Sequence, residues 1–174
     1  MSTIELIILG YLLDSPMSAY DINKVIEKKE TWRLLKISRP AIFKTCKRLH
    51  QDGYLRSKLT RQGENPEKTI YAVSSSGKQH FLALMQHYAQ TMQPYFLDCN
   101  AFIFHLGKLP KKTALQHLKQ LRDQILQANS WMDTHIKESV EAPFPERMIV
   151  KQYAMTLRAL KEWISYVIEE FSGS

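Results

Sequence analysis

Between Ser38 and Tyr71 the chain carries cations at spacings suited to phosphate and base-edge contacts. On a helix over about residues 39 to 52, at roughly 100° per residue, Ala41, Lys44, Thr45 and Arg48 share one face, and Ile42, Phe43, Cys46 and Leu49 the opposite one. Guanidinium and ammonium groups donate to guanine acceptors, and a threonine can bond a base or touch a thymine methyl. The pattern predicts that Lys44, Thr45 and Arg48 enter a major groove of double-stranded DNA. Arg39, at the helix start, is expected to reach a phosphate or a base edge.

The elements that must hold these residues have readable ends. Ser38 is expected to accept a bond from an unpaired first-turn amide and, beside Arg39, to belong to the DNA-contacting set; Pro40 fits the same turn, and Gly53 supplies a left-handed stop. Beyond Gly53 the period falls to two, which predicts strands over residues 54–59 and 69–73 around the polar turn Gln62-Gly63-Glu64-Asn65-Pro66. Arg56, Lys58, Arg61 and Lys68 decorate this hairpin. Lys58, Arg61 and Lys68 are expected to grip the flanking backbone or minor groove, positioning rather than specifying.

Charge is concentrated where this geometry lies. The 174 residues carry a net charge of +7, and residues 31–70 alone hold 10 Lys and Arg against 3 Asp and Glu. That is the footprint of a surface replacing counterions around phosphates; the bland alternative is a solvated basic face. A hydrophobic content of 44% is that of an ordinary globular protein. Cys46 and Cys99 are far apart and Cys46 sits on an apolar face, which argues against a disulfide framework or a thiolate metal site. The first residues lack a basic prelude and a cleavage site, and no apolar run approaches the roughly 18 residues of a membrane span. A cytoplasmic protein without membrane contact is the expectation.

Ahead of the basic helix, Ile4 to Leu13 form a helix apolar nearly all round, which must be buried on more than one side. Asp14-Ser15-Pro16-Met17 breaks it, and Ser18 with Asp21 resembles a capping pair opening a second helix through about Lys29, with Ile22, Val25 and Ile26 inward. A short link through Trp32 and Leu35 follows. After the hairpin, Ser74-Ser75-Ser76-Gly77 cap a fourth, long helix. The order helix, helix, helix, strand, strand is that of a winged helix-turn-helix, expected over residues 1–91.

Residues 92–174 are expected to form a helical domain of three segments, Pro94 to Leu106, Pro110 to about Glu138 and Pro145 to Phe171. Tyr153, Leu157, Leu160, Ile164, Val167 and Phe171 recur at alternating spacings of four and three, the seam of a coiled coil, and Leu118, Leu121, Ile125, Ala128 and Met132 match them. The two stripes suggest an antiparallel pair, packed internally or against a second subunit. One winged helix makes few contacts, so a homodimer on an inverted repeat, with half-sites about 10 base pairs apart or a multiple of that, is expected. The fold class is thus mainly α with a small β-hairpin, a DNA-docking module followed by an antiparallel helical dimerisation domain.

These residues resemble the PadR-like transcriptional regulators, including their AphA-like branch with a helical C-terminal domain. The carriers are the Ile4-to-Leu13 helix, Ser18-Ala19-Tyr20-Asp21-Ile22, the run Ile42 to Leu49 ahead of Asp52-Gly53-Tyr54-Leu55, and then Pro66, Tyr71 and Ser74 to Gly77. Phe43 stands where the family usually has tyrosine, Lys44 where proline is frequent, and Ser74 where threonine is usual. The resemblance implies a cytoplasmic, dimeric repressor or activator, with repression favoured, and a phosphate contact from Tyr20. Some relatives take phenolic or multidrug-like ligands, and Tyr95, Phe96, Trp131 and Trp163 are the aromatic residues nominated to line such a pocket; core packing is their commoner use.

Rival chemistry is weaker. Ser76 and His80 are one turn apart, as nucleophile and base would be, but Ser76 is better explained as a helix cap, so no enzyme is expected. The six histidines lack partners at ligand spacing and no glycine-rich phosphate loop appears, so neither metal nor cofactor is expected. A winged helix that binds other proteins remains the alternative.

Overall fold

The all-round apolar first helix becomes the strut of the N-terminal unit. In the computed structural model, which describes residues 2–28, 37–61, 67–92 and 97–173, this helix, α1, spans Thr3–Asp14 and buries Ile8, Leu9 and Leu12. The strand β1 (Met17–Ser18) leads into α2 (Ala19–Lys28), whose start is closed reciprocally: the Asp21 amide donates to Ser18 Oγ at 3.2 Å and the Ser18 amide to Asp21 Oδ2 at 3.3 Å. The helix α3 (Arg39–Gln51) is followed by strands β2 (Leu55–Thr60) and β3 (Lys68–Val73) and then α4 (Ser75–Gln90). The link through Trp32 and Leu35 and the turn Gln62–Pro66 lie outside the described residues.

The sheet has order β1-β3-β2 and is antiparallel throughout, with Leu55 opposite Val73, Thr60 opposite Lys68, and Met17 opposite Tyr71. The two-residue β1 was not expected; too short to show a period, it is defined by its partner β3. Ile22 and Ile26 of α2, Ile42, Cys46 and Leu49 of α3, Leu55 and Leu84 complete the core with α1. Each fully buried Leu or Ile contributes roughly 1.5–3 kcal/mol. Burial pushes the Cys46 thiol up to about 12, so this cysteine packs as an inert apolar group.

Gly53, at φ 78°, ends α3. Its amide donates to the His50 carbonyl at 3.1 Å and the Tyr54 amide to the Leu49 carbonyl at 2.9 Å, both bonds of a Schellman motif. Ser74 caps α4 by accepting from the Gly77 amide at 3.0 Å, while its hydroxyl lies 2.7 Å from the Gly53 carbonyl. One serine thus fastens the start of α4 to the end of α3.

The chain divides into the units Met1–Pro94 and Tyr95–Ser174. The second contains α5 (Cys99–Phe104), a 3-10 turn (Leu106–Lys108), α6 (Lys111–Glu138) and α7 (Phe144–Gly173). The last two helices form the expected antiparallel pair, around Ala114, Leu118, Ile125 and Ile164, with Leu160, Val167 and Phe171 packed on the same cluster. Asn129 adds a polar tie across the pair, donating to the Leu157 carbonyl at 3.0 Å. The start of the Pro94-to-Leu106 segment lies outside the described residues, and its described helical part begins at Cys99. No helix among the described residues is long and apolar enough to cross a membrane.

Candidate nucleic-acid interface

The α3 helix presents a cationic strip because α1 and α2 cover its other side. Ile42, Thr45, Cys46 and Leu49 are buried, whereas Arg39, Phe43, Lys44, Lys47 and Arg48 are exposed. Two face assignments are therefore corrected. Thr45, expected in the groove, is 6% exposed, and Phe43, expected inside, is 43% exposed. The buried arc is centred between Ile42 and Leu49, so Thr45, 60° from Ile42, falls within it and Phe43, 100° away on the other side, falls beyond it. Lys47 is a cation of the strip that the sequence analysis did not nominate.

Ser38 is exposed and extended, and its side chain makes no cap bond; the start of α3 is held by its carbonyl, which accepts from the Ala41 and Ile42 amides at 3.1 and 3.2 Å. The expected side-chain cap is replaced by backbone bonds and the conformation that Pro40 imposes.

At the N-terminal end of the strip, α2 and α3 bring aromatic and cationic groups together. The Arg39 guanidinium lies 5.8 Å from the Tyr20 ring centroid and 6.0 Å from that of Phe43, and Lys24 Nζ is 4.7 Å from Tyr20. Such cation–π contacts restrict an otherwise mobile arginine while leaving its donors outward. Tyr20 is 45% exposed, on the same surface as Arg39.

Arg48 is half exposed and bonds the buried Glu5 of α1, whose other oxygen is 3.0 Å from His80 Nε2. Burial alone would raise the Glu5 carboxyl; the His80 hydrogen bond and the Arg48 guanidinium outweigh it and hold the group below its ordinary value. Ser76 instead donates to the Gly53 carbonyl, so Ser76 and His80 have separate partners and form no nucleophile–base pair.

On the hairpin, Arg56, Lys58 and Arg61 are exposed. Lys68 is tied to α2, 3.1 Å from Asp21 Oδ2. The Ser18 hydroxyl, and Lys68 against the opposing effect of burial, hold the Asp21 carboxyl below its ordinary value. His50 joins α3 to β2, with Nδ1 3.0 Å from the Leu55 carbonyl and Nε2 3.2 Å from Ser57 Oγ. These ties set the hairpin beside the cationic strip.

In the second unit, Tyr95 and Phe96 lie outside the described residues. Trp131 stacks on His135 at 5.0 Å, and Trp163 packs on the α6–α7 core. Neither lines the cavity of about 510 Å³ bounded by Ile136, Val140, Arg147, Met148, Lys151 and Arg158, among others. Ile164 is fully buried and Leu160, Val167, Phe171, Tyr153 and Leu157 are partly buried, so the stripe nominated for self-association runs along the internal helix pair. Among the described residues no cluster of three or more His, Cys, Asp or Glu could hold a metal ion.

No family model matches the chain. Over 108 residues it is 29% identical to the negative transcriptional regulator PadR of Bacillus subtilis (strain 168), a match covering 57% of this chain and 59% of that relative. Structures of Bacillus subtilis PadR in complex with operator DNA and with p-coumaric acid share the fold, each at TM-score 0.78, with 18% and 16% identity, over 98% of this chain and 98% and 99% of theirs. The Vibrio cholerae virulence activator AphA matches at TM-score 0.73 and 16% identity, over 98% of this chain and 99% of its own. By sequence over those 108 residues the chain is similar to PadR, and by fold over nearly its whole length it is similar to PadR and AphA: a winged helix-turn-helix followed by a helical hairpin.

Proposed function

We propose that this protein is a sequence-specific, double-stranded-DNA-binding transcriptional regulator acting in the cytoplasm, a repressor in preference to an activator, and not an enzyme. The observation that carries the reading is the exposed strip Arg39, Lys44 and Lys47 on a helix whose other face is sealed into the core. The relative bound to operator DNA has the same fold, which supports α3 as the groove-entering helix. Lys44 and Lys47 meet base edges, Arg39 and Tyr20 meet the N-terminal phosphates, and Lys58 and Arg61 hold the flanking backbone. Thr45 and Lys68 are assigned supporting roles, since one is buried and the other is paired.

A homodimer on an inverted repeat fits this module. Because Leu160 and Ile164 pack against α6, self-association is assigned to the outward face of α7, where Tyr166 is 61% exposed. A small aromatic acid, the class to which p-coumaric acid bound by PadR belongs, suits the α6–α7 cavity, whose apolar wall carries Arg147, Lys151 and Arg158.

The test is a gel shift on DNA upstream of the protein's own gene with excess random duplex as competitor. A competitor-resistant shift lost in a Lys44→Ala, Lys47→Ala variant supports the regulator. No shift even at low salt favours a winged helix that binds proteins.

A further inference from the structure

Glu5 is a carboxylate in the first turn of an apolar helix, 6% exposed, and both its oxygens are engaged. Oε1 takes Arg48 Nη2 and Oε2 takes His80 Nε2 at 3.0 Å. The His80 ring lies parallel to Tyr54, 4.1 Å between centroids and 7° between planes, and Tyr54 is the residue that closes the end of α3. A carboxylate gripped at both oxygens, by groups from α3 and α4, has little freedom to turn. It holds one end of a guanidinium whose side chain is 50% exposed.

Arg48 lies on the α1 side of the cationic strip, about 40° around the helix from Lys44. An arginine has five N–H donors in a rigid fork, so bonding one nitrogen to Glu5 leaves others directed outward. A tethered fork at the edge of the groove-facing strip suits a phosphate, which fixes register, better than a base edge, which requires the side chain to extend into the groove. Resting on the DNA-binding reading above, we infer that Glu5 is the positioning residue for a phosphate contact made by Arg48, so that a buried group on α1, remote from the groove-facing strip, sets the affinity for duplex DNA.

The experiment needs no operator, because a phosphate contact acts on any sequence. Affinity for a random-sequence duplex is measured across a salt series for the wild type, Glu5→Ala, Arg48→Ala and the double variant, with folding checked by circular dichroism. Arg48→Ala is expected to weaken binding about tenfold and to lower the slope of log affinity against log salt by about 1. Glu5→Ala is expected to do nearly the same, and the double variant to be no worse than Arg48→Ala. Glu5→Gln, which keeps the shape and an acceptor, is expected to retain most of the affinity and covers the case in which Glu5→Ala does not fold. Wild-type binding and salt slope in Glu5→Ala, independent losses that multiply in the double variant, or tighter binding without Glu5 would each overturn the assignment. Lys44→Ala, Lys47→Ala separates the two readings. If it also leaves binding untouched, the DNA reading fails and takes this one with it; if it weakens binding while the Glu5–Arg48 losses multiply, the positioning role alone is wrong.

Discussion

A Cβ placed on Gly77 would stand 2.1 Å from the carbonyl oxygen of Tyr54 and 2.9 Å from Val73 Cγ1. The first turn of α4 thus rests directly on the backbone leaving α3, and that approach aligns the Ser74 cap with the Gly53 carbonyl. Backbone cannot move aside as a flexible side chain can, so Gly77→Ala is expected to destabilise the protein by about 2–4 kcal/mol, at the severe end for a small overpacking change. Urea unfolding would measure it; a loss under about 0.5 kcal/mol would show that the two backbones can separate.

Gly53 has open space around it, so the cost of a side chain there comes from its φ of 78°. Gly53→Ala is expected to cost about 1–2 kcal/mol and Gly53→Asn less, since asparagine tolerates the left-handed region. Equal unfolding midpoints for the two variants would contradict this origin.

Thr45 and Lys47 offer a sharp contrast. Lys47→Ala is expected to leave the unfolding midpoint unchanged and lower the salt slope of DNA binding by about 1. Thr45→Ala is expected to act on stability, because the side chain is buried between helices. The opposite outcome, a Thr45 variant with normal stability and altered sequence preference, would return Thr45 to the groove.

For the second unit, Ile164→Ala is expected to cost about 2–5 kcal/mol through a cavity in the α6–α7 core. Tyr166→Glu is expected to leave that core folded and to dissociate the proposed dimer, as read by sedimentation velocity. A dimer that persists in this variant would count against the outward face of α7 as the interface.

Acid should weaken the N-terminal unit. Glu5 and Asp21 are held below their ordinary values, so each contributes stability that is complete above the unfolded carboxylate range, near pH 4, and is lost as pH falls through the folded value. The urea midpoint of the wild type is expected to drop below about pH 4, and Asp21→Asn to show a shallower drop. Parallel profiles would mean that the Ser18 and Lys68 bonds do not persist in solution.

The order of elements apart from the short β1, the Ser18–Asp21 box, the Gly53 stop, the serine-rich cap of α4 and the matched stripes of α6 and α7 were legible in the amino-acid sequence. Each is a local device whose chemistry lies within a few residues, and periodicity records which positions are apolar. Which neighbour an apolar or polar position meets is another matter. Thr45 is buried and Phe43 exposed because α1 and α2 together cover an arc of α3 that one helix's own pattern cannot mark out. The Leu160–Ile164–Val167 stripe is the same string of residues whether it meets α6 or a second chain, and folding places it on α6. The link from Glu5 to Arg48 joins residues 43 positions apart. No spacing rule spans that distance; the approach of α1 to α3 in the folded core creates the pair.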